Sequence, residues 1–344
     1  MVVLAGSEYV APLCFRNGHL QTAYPTLFRP IPSTSPQRAR LDTADGDFVD
    51  IDRHLSATGR HGRLAVISHG LEGNSRKKYV LGMARHLTRT GWDVACLNFR
   101  GCSGEPNRLP RFYHSGVTDD LHTVLTWALG QGDYSAAALI GFSMGGNQTL
   151  KYLGENPALV PRQVKAAVVF SVPCDLAGAS RQLANWQNRL YMRYFMRGLQ
   201  KKIQDKAQIF PECFDLSGLL AMRTFSLFDD RYTAPLHGFV DGEDYYQRCS
   251  ANRFLGGIRL PTLLVQAGDD PFLSPTCYPG SQARGSSVFH LEIPRHGGHV
   301  GFVGNTSANI YWSEERAGEF LRRVLAGGDG VTGYPADGHS SQPG

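Results

Sequence analysis

The sequence predicts an α/β fold with a mostly parallel central sheet and helices on both of its faces, and three observations carry that expectation. Short apolar runs alternate with longer segments of helical period from Leu64 onward, which is the pattern of βαβ crossovers. The runs Leu64 to Ser68, Val94 to Asn98, Ala136 to Phe142 and Val168 to Val172 are apolar almost throughout, as strands covered on both faces must be. The third observation is Gly141-Phe142-Ser143-Met144-Gly145, lying between the run that ends at Phe142 and a helical pattern from Asn147 onward. A serine on so sharp a strand-to-helix turn exposes its hydroxyl, and glycine flanks it because a Cβ there would meet the neighbouring strand and helix.

In chain order, residues 1–40 read as an irregular segment, since Pro12, Pro25, Pro30, Pro32 and Pro36 argue against a long helix. Asp47 to His54, with apolar Phe48, Val49 and Ile51, reads as an edge strand. Helices are expected near Lys77 to Thr90 and Asp119 to Leu129, each after an apolar run. The alternation stops after Val172 and resumes at Thr262 to Gln266 and Val288 to Pro294, before a C-terminal helix. The span from Ser143 to Asp270 exceeds what two βα units require, so the aromatic, mainly helical stretch at about 173–250 is expected to cap the active site. This gives one domain over 41–326 with a helical cap insert. The tail, 327–344, is Gly, Ser, Pro and Asp with little to bury, and disorder is expected there.

Composition removes several function classes. The 344 residues, 42% of them hydrophobic, can bury a large core. A net charge of +5 without a dense Lys/Arg block argues against nucleic acid as a partner. Seven scattered cysteines with no C-x-x-C pair signal neither a disulfide framework nor a zinc site. There is no G-x-x-x-x-G-K-[ST] loop, and Gly297-Gly298-His299-Val300-Gly301 does not fit a dinucleotide fingerprint. Neither metal nor organic cofactor is therefore expected. Met1 to Val10 lacks a charged n-region before an apolar stretch, and no run approaches the roughly eighteen apolar residues of a membrane helix, so a soluble, cytoplasmic protein is expected. Oligomeric state is not encoded in any motif.

The chemistry expected is nucleophilic. Ser143 is the candidate nucleophile, Asp270 after the Thr262 strand the orienting acid, and His299 after the Val288 strand the general base, with His296 as fallback. Asp269 is the competing acid; Asp270 is preferred because Pro271 fixes the turn after it. Acyl transfer develops negative charge on a carbonyl oxygen, which two backbone N–H groups must meet. Met144 supplies one. His69-Gly70-Leu71-Glu72-Gly73 directly follows Leu64 to Ser68, which makes the Leu71 amide the other. Ser, then Asp, then His is also the chain order of one serine-hydrolase fold and not of others.

Asn17-Gly18-His19-Leu20-Gln21-Thr22, Asp45-Gly46-Asp47-Phe48, His69 to Gly73, and above all Asn98 to Asn107 through Tyr113-His114-Ser115-Gly116 carry a resemblance from about Asn17 to Leu325. The sequence resembles the YheT-like branch of the α/β hydrolases. That resemblance implies a short- to medium-chain carboxylesterase, with eukaryotic relatives acting on lipid esters including phospholipids, and implies Ser143, Asp270 and His299 as the charge-relay set. Arg53 and Gly268 depart from it, an aromatic and a bulkier residue being expected there. An interfacial lipase or phospholipase and a catalytically silent ligand binder on the same fold are the alternatives.

Two basic features remain. Arg100, Arg108 or Arg111 follows a strand at the carboxyl end of the sheet, where ligands bind; pairing of one arginine with Glu105 to hold the loop is the favoured reading. Arg189, Arg193, Arg197 and Lys201 recur every four residues along a predicted helix whose other side carries Tyr191, Met192, Phe195, Met196, Leu199 and Ile203. A solvated face is favoured there, and weak contact with an anionic membrane surface is the alternative.

Overall fold

In the computed structural model, which describes residues 3–4, 7–56, 58–59, 62–304 and 309–327, nine strands among the described residues share one sheet. They are β1 (Val3–Leu4), β2 (Gln37–Asp42), β3 (Phe48–His54), β4 (Arg63–Ser68), β5 (Asp93–Asn98), β6 (Ala136–Phe142), β7 (Val164–Phe170), β8 (Thr262–Val265) and β9 (Phe289–Glu292). Their order is β1-β9-β8-β7-β6-β4-β5-β3-β2. Pairing is parallel except that β3 runs antiparallel to both β5 and β2. Every residue of β6 is buried, as its uninterrupted Ala-Ala-Ala-Leu-Ile-Gly-Phe demands.

The N-terminal segment is a correction to the sequence reading, because residues 1–40 hold β1, a helix and the start of β2. Helix α1 (Gly18–Phe28) forms despite Pro25. The Asn17 side chain caps it by accepting from the Leu20 amide at 3.0 Å, and its packing against the later loops outweighs the proline. Strand β2 is the true edge, so β3 is internal. The apolar pattern missed β2 because its exposed residues are polar, which is how edge strands avoid further pairing; Arg38 and Arg40 instead bind Asp52 and Asp50 of β3 at 2.7 and 2.8 Å.

Helices α2 (Lys78–Arg89) and α11 (Trp312–Leu325) cover one face of the sheet through Met83, Leu87, Phe320 and Leu321. Helices α3 (Asp119–Leu129) and α4 (Met144–Glu155) cover the other through Val124, Leu125, Leu150 and Leu153. Each such side chain, fully buried, is worth about 1.5–3 kcal/mol.

Between β7 and β8 the chain runs through α5 (Leu176–Leu183), α6 (Arg189–Ile209), α7 (Phe225–Phe228), a π turn at Asp229–Thr233, α8 (Ala234–His237) and α9 (Gly242–Cys249). In α6, Met192, Met196, Leu199 and Ile203 point inward, while Arg189, Arg193, Arg197 and Lys201 are exposed. Two lysines on its inner side clamp it to the loop after β5: Lys202 donates to the Gly101 carbonyl at 2.5 Å and Lys206 to the Asn107 carbonyl at 2.6 Å. A short α10 (Gly280–Arg284) precedes β9. The tail expected from 327 to 344 lies, beyond Gly327, outside the described residues. Among those described, no helix is long and apolar enough to cross a membrane.

Candidate active site

Ser143 links β6 to α4 with φ 53° and ψ −121°, a conformation that costs a non-glycine residue about 1–3 kcal/mol. Backbone bonds on both sides hold it there. Its N–H donates to the Phe170 carbonyl at 2.9 Å, and its carbonyl accepts from the Gly146 and Asn147 amides at 2.9 and 3.1 Å. The turn closes only around glycine: a Cβ on Gly141 would lie 2.6 Å from the Gly146 Cα, and one on Gly145 would lie 2.5 Å from the Ser68 and His69 carbonyl oxygens.

His299 and Asp270 reach Ser143 from the loops after β9 and β8. His299 Nε2 lies 2.9 Å from Ser143 Oγ, and His299 Nδ1 lies 2.9 Å from Asp270 Oδ2 and 3.1 Å from Oδ1. A proton on Nδ1 shared with the carboxylate leaves Nε2 to accept from the serine hydroxyl. Asp270 is buried, and its Oδ1 also accepts from the Phe272 amide at 2.9 Å. The Phe272 ring packs 4.3 Å from the imidazole, centre to centre. Asp269 turns away from Ser143: it takes the Gly298 amide at 2.9 Å and His296 Nδ1 at 3.1 Å. The two candidates for acid and the two for base therefore sort into separate pairs.

The loop that carries His299 is held by residues for which the sequence reading assigned no role. The Thr22 hydroxyl accepts from the His299 amide at 2.8 Å, and the Ser171 hydroxyl from the Val300 amide at 2.9 Å. A Cβ on Gly18 would lie 1.9 Å from the Asp269 carbonyl oxygen, so the first turn of α1 rests directly on the acid loop. The signal was present in the Asn17 to Thr22 block, but only as resemblance.

Leu71 and Met144 flank the serine with unengaged amides. Among the described residues, neither N–H has a hydrogen-bond acceptor, while the Gly70, Glu72, Gly73, Gly146 and Asn147 amides around them are all bonded. Met144 has no partner because it is the first residue of its helix. His69 fixes the Leu71 turn: the Phe99 amide donates to Nε2 at 3.2 Å, so Nδ1 carries the proton given to the Gly70 carbonyl at 2.7 Å. Full burial holds His69 down to about 3, hence neutral. On the far side, Tyr113 Oη accepts from the Glu72 amide at 3.1 Å and donates to Glu72 Oε1 at 2.5 Å, bracing Glu72 in its left-handed conformation, φ 51°.

Ser143, His299 and Leu71 line a cleft enclosing about 790 Å³, its mouth included, walled also by side chains of α5, α6 and α9. Arg100 is not part of it. Its guanidinium is buried against Asp120, at 2.6 and 2.8 Å, and against Asp45 and Asp47, at 2.6 and 3.3 Å. Glu105 meets Arg40 on the exposed edge and none of Arg100, Arg108 or Arg111, which corrects the expected pairing: aspartates hold those arginines. Among the described residues no group of three or more His, Cys, Asp or Glu is placed to hold a metal ion.

Comparison with known proteins places this geometry in context. The family described as alpha/beta hydrolase fold matches residues 66–306. The "Putative esterase YheT" of Escherichia coli (strain K12) is 36% identical over 93% of this chain and 95% of its own. "Phospholipase ABHD3" of Mus musculus is 30% identical over 81% of this chain and 70% of its own. Among solved structures, the Pyrococcus furiosus esterase Pf2001 superposes with a TM-score of 0.56 at 16% identity, over 85% of this chain and 92% of that one.

Proposed function

Since the chain belongs to the α/β hydrolase fold family, in the branch of its YheT relative, we propose that it is a serine carboxylesterase hydrolysing short- to medium-chain acyl esters through an acyl-enzyme. The observation that carries this reading is the hydrogen-bonded line from Asp270 through His299 to Ser143 Oγ, beside two free amides.

In the first half-reaction Ser143 Oγ attacks the ester carbonyl carbon as its proton passes to His299 Nε2. Asp270 holds the ring in the tautomer that accepts this proton and balances the imidazolium that forms. The carbonyl oxygen gains negative charge, which the Leu71 and Met144 N–H groups receive; one such donor is typically worth about 10²–10³ in rate. The C–O bond to the alcohol then breaks, and the alcohol leaves with the proton from Nε2. In the second half, water gives its proton to Nε2 and attacks the acyl carbon, and the acid departs as Ser143 recovers its proton. The helices between β7 and β8 form a cap over the cleft and set its apolar walls. The test is turnover of p-nitrophenyl acetate and butyrate. Ser143→Ala should lower kcat by about 10⁴ or more; equal turnover in mutant and wild type would defeat the mechanism, and no turnover in wild type would favour a silent ligand binder.

One observation favours a second reading, an interfacial lipase. Beside Arg189, Arg193 and Arg197, the turn before α6 exposes Trp186 by 76%, and the start of α6 exposes Leu190 and Tyr194 by 73% and 55%. Basic residues near an anionic bilayer contribute about 1 kcal/mol each, and apolar side chains beside them would insert. In that case wild type co-sediments with anionic but not neutral vesicles at low salt, and Arg189→Glu with Arg193→Glu abolishes this without affecting soluble esters. Wild type that ignores anionic vesicles would make the face a solvated one.

A further inference from the structure

The wall of the cleft is apolar over most of its extent, and among the described residues Asp229 is the one carboxylate that lines it. It opens the π turn Asp229–Thr233 between α7 and α8 and lines the same cleft as Ser143 and His299. Such turns occur disproportionately at functional sites. Asp229 is only 9% exposed. Its Oδ1 accepts from the Thr233 hydroxyl at 2.5 Å and its Oδ2 from the Tyr246 hydroxyl at 2.7 Å, with Tyr246 Oη also 3.2 Å from Ser180 Oγ. Both donors are neutral. Among the described residues no Lys, Arg or His pairs with this carboxylate.

That arrangement is costly if its only task is structural. Burial pushes the Asp229 carboxyl up to about 6, the usual consequence of placing a carboxylate in an apolar site without a cation. An asparagine would keep one of these bonds through its Oδ1 and reverse the other, its NH2 donating to the hydroxyl oxygen, with no such penalty, and an aliphatic residue would suit a wall built only for alkyl chains. A carboxylate offers about four acceptor positions, of which two are used here. The neighbouring Phe225, Tyr245 and Tyr246 rings supply apolar sides to the same part of the cleft.

We propose, on the reading of the cleft as an ester site, that Asp229 is its specificity residue and that the preferred ester ends in a hydrogen-bond donor, a hydroxyl or an ammonium, which this carboxylate receives. A donor of matching reach takes the acceptor positions that the Thr233 and Tyr246 hydroxyls leave open. A terminal methyl leaves the carboxylate desolvated and unmatched, and a site built in this way discriminates strongly against the analogue that lacks the donor.

The experiment is a panel of straight-chain esters ending in methyl, hydroxyl or ammonium, varied in length on the acyl side and separately on the alkoxy side. In wild type, at one length, a donor-terminated ester should exceed its methyl counterpart in kcat/KM by at least about tenfold. Whether the hydroxyl or the ammonium arm leads tells which donor the site takes. Asp229→Asn should erase the advantage of the ammonium arm. Wild type with no preference for a donor at any length overturns the proposal, whether or not the variant folds. So does an Asp229→Asn protein that slows all arms equally, since that is the mark of a purely structural network. Calorimetric binding of the intact esters to Ser143→Ala reads the same preference without turnover, so failure of the esterase reading and failure of this one remain separate results.

Discussion

Ser143 occupies a backbone conformation that a serine in isolation would leave, and the strain is borne by bonds from β7 and from its own helix. The arrangement holds Oγ 2.9 Å from His299 Nε2 without any movement of the ring, which is the pre-organisation that acyl transfer requires. The two adjacent aspartates make a sharper test than the serine. Asp270 alone touches His299, whereas Asp269 secures the Gly298 amide and His296. Asp270→Asn should therefore lower kcat by about 10⁴, by presenting the wrong tautomer to the serine, and Asp269→Asn should cost far less. Steady-state kinetics on p-nitrophenyl butyrate decides between them, and the reverse ranking would move the acid by one position.

At the level of elements, α1 and the loop after β5 show what a linear reading finds and what it does not. The strand, turn and helix around Ser143 were legible because each has its own local pattern, and the Ser, Asp, His order pointed to the three loops that the structure brings together. Helix α1 was not legible, since Pro25 argues locally against it and its justification is tertiary: Gly18 lies against Asp269, and the Thr22 hydroxyl accepts from the His299 amide. Strand β2 escaped because its partner residues are charged pairs rather than apolar ones. The α1 contact predicts that Gly18→Ala, whose methyl would stand 1.9 Å from the Asp269 carbonyl oxygen, lowers kcat by at least about tenfold, as misplacement near the chemistry does. Unchanged kcat would show that α1 merely covers the loop. The Arg100 cluster predicts the opposite division. Arg100→Leu strands buried Asp47 and Asp120 without a cation and should cost about 3–5 kcal/mol in urea unfolding, with kcat/KM of the folded protein unchanged. Full stability with lost activity would return Arg100 to the substrate.

For the molecule as a whole, the same burial that shapes the cleft makes stability depend on pH. Burial is the first cause holding His69 down to about 3 and His237 down to about 4, and it holds His114 well below its ordinary value. Unfolding returns each to about 6.5. Between those limits the unfolded chain binds more protons than the folded one, so stability falls as pH drops below about 6.5, by about 1.4 kcal/mol per pH unit for each group. Asp229, held up at about 6, acts in the opposite sense between about 4 and 6 and offsets only one of the three. Thermal melts should therefore show Tm declining steadily from pH 6.5 towards 4, and a flat Tm over that range would mean that these histidines are not held neutral. The central claim is that the fold delivers an activated serine, and covalent labelling tests it most directly. After treatment with a fluorophosphonate, peptide mass spectrometry of the wild type should find a single adduct, on Ser143, and none in Ser143→Ala. An unlabelled wild type, or an adduct that persists in Ser143→Ala, would contradict the account.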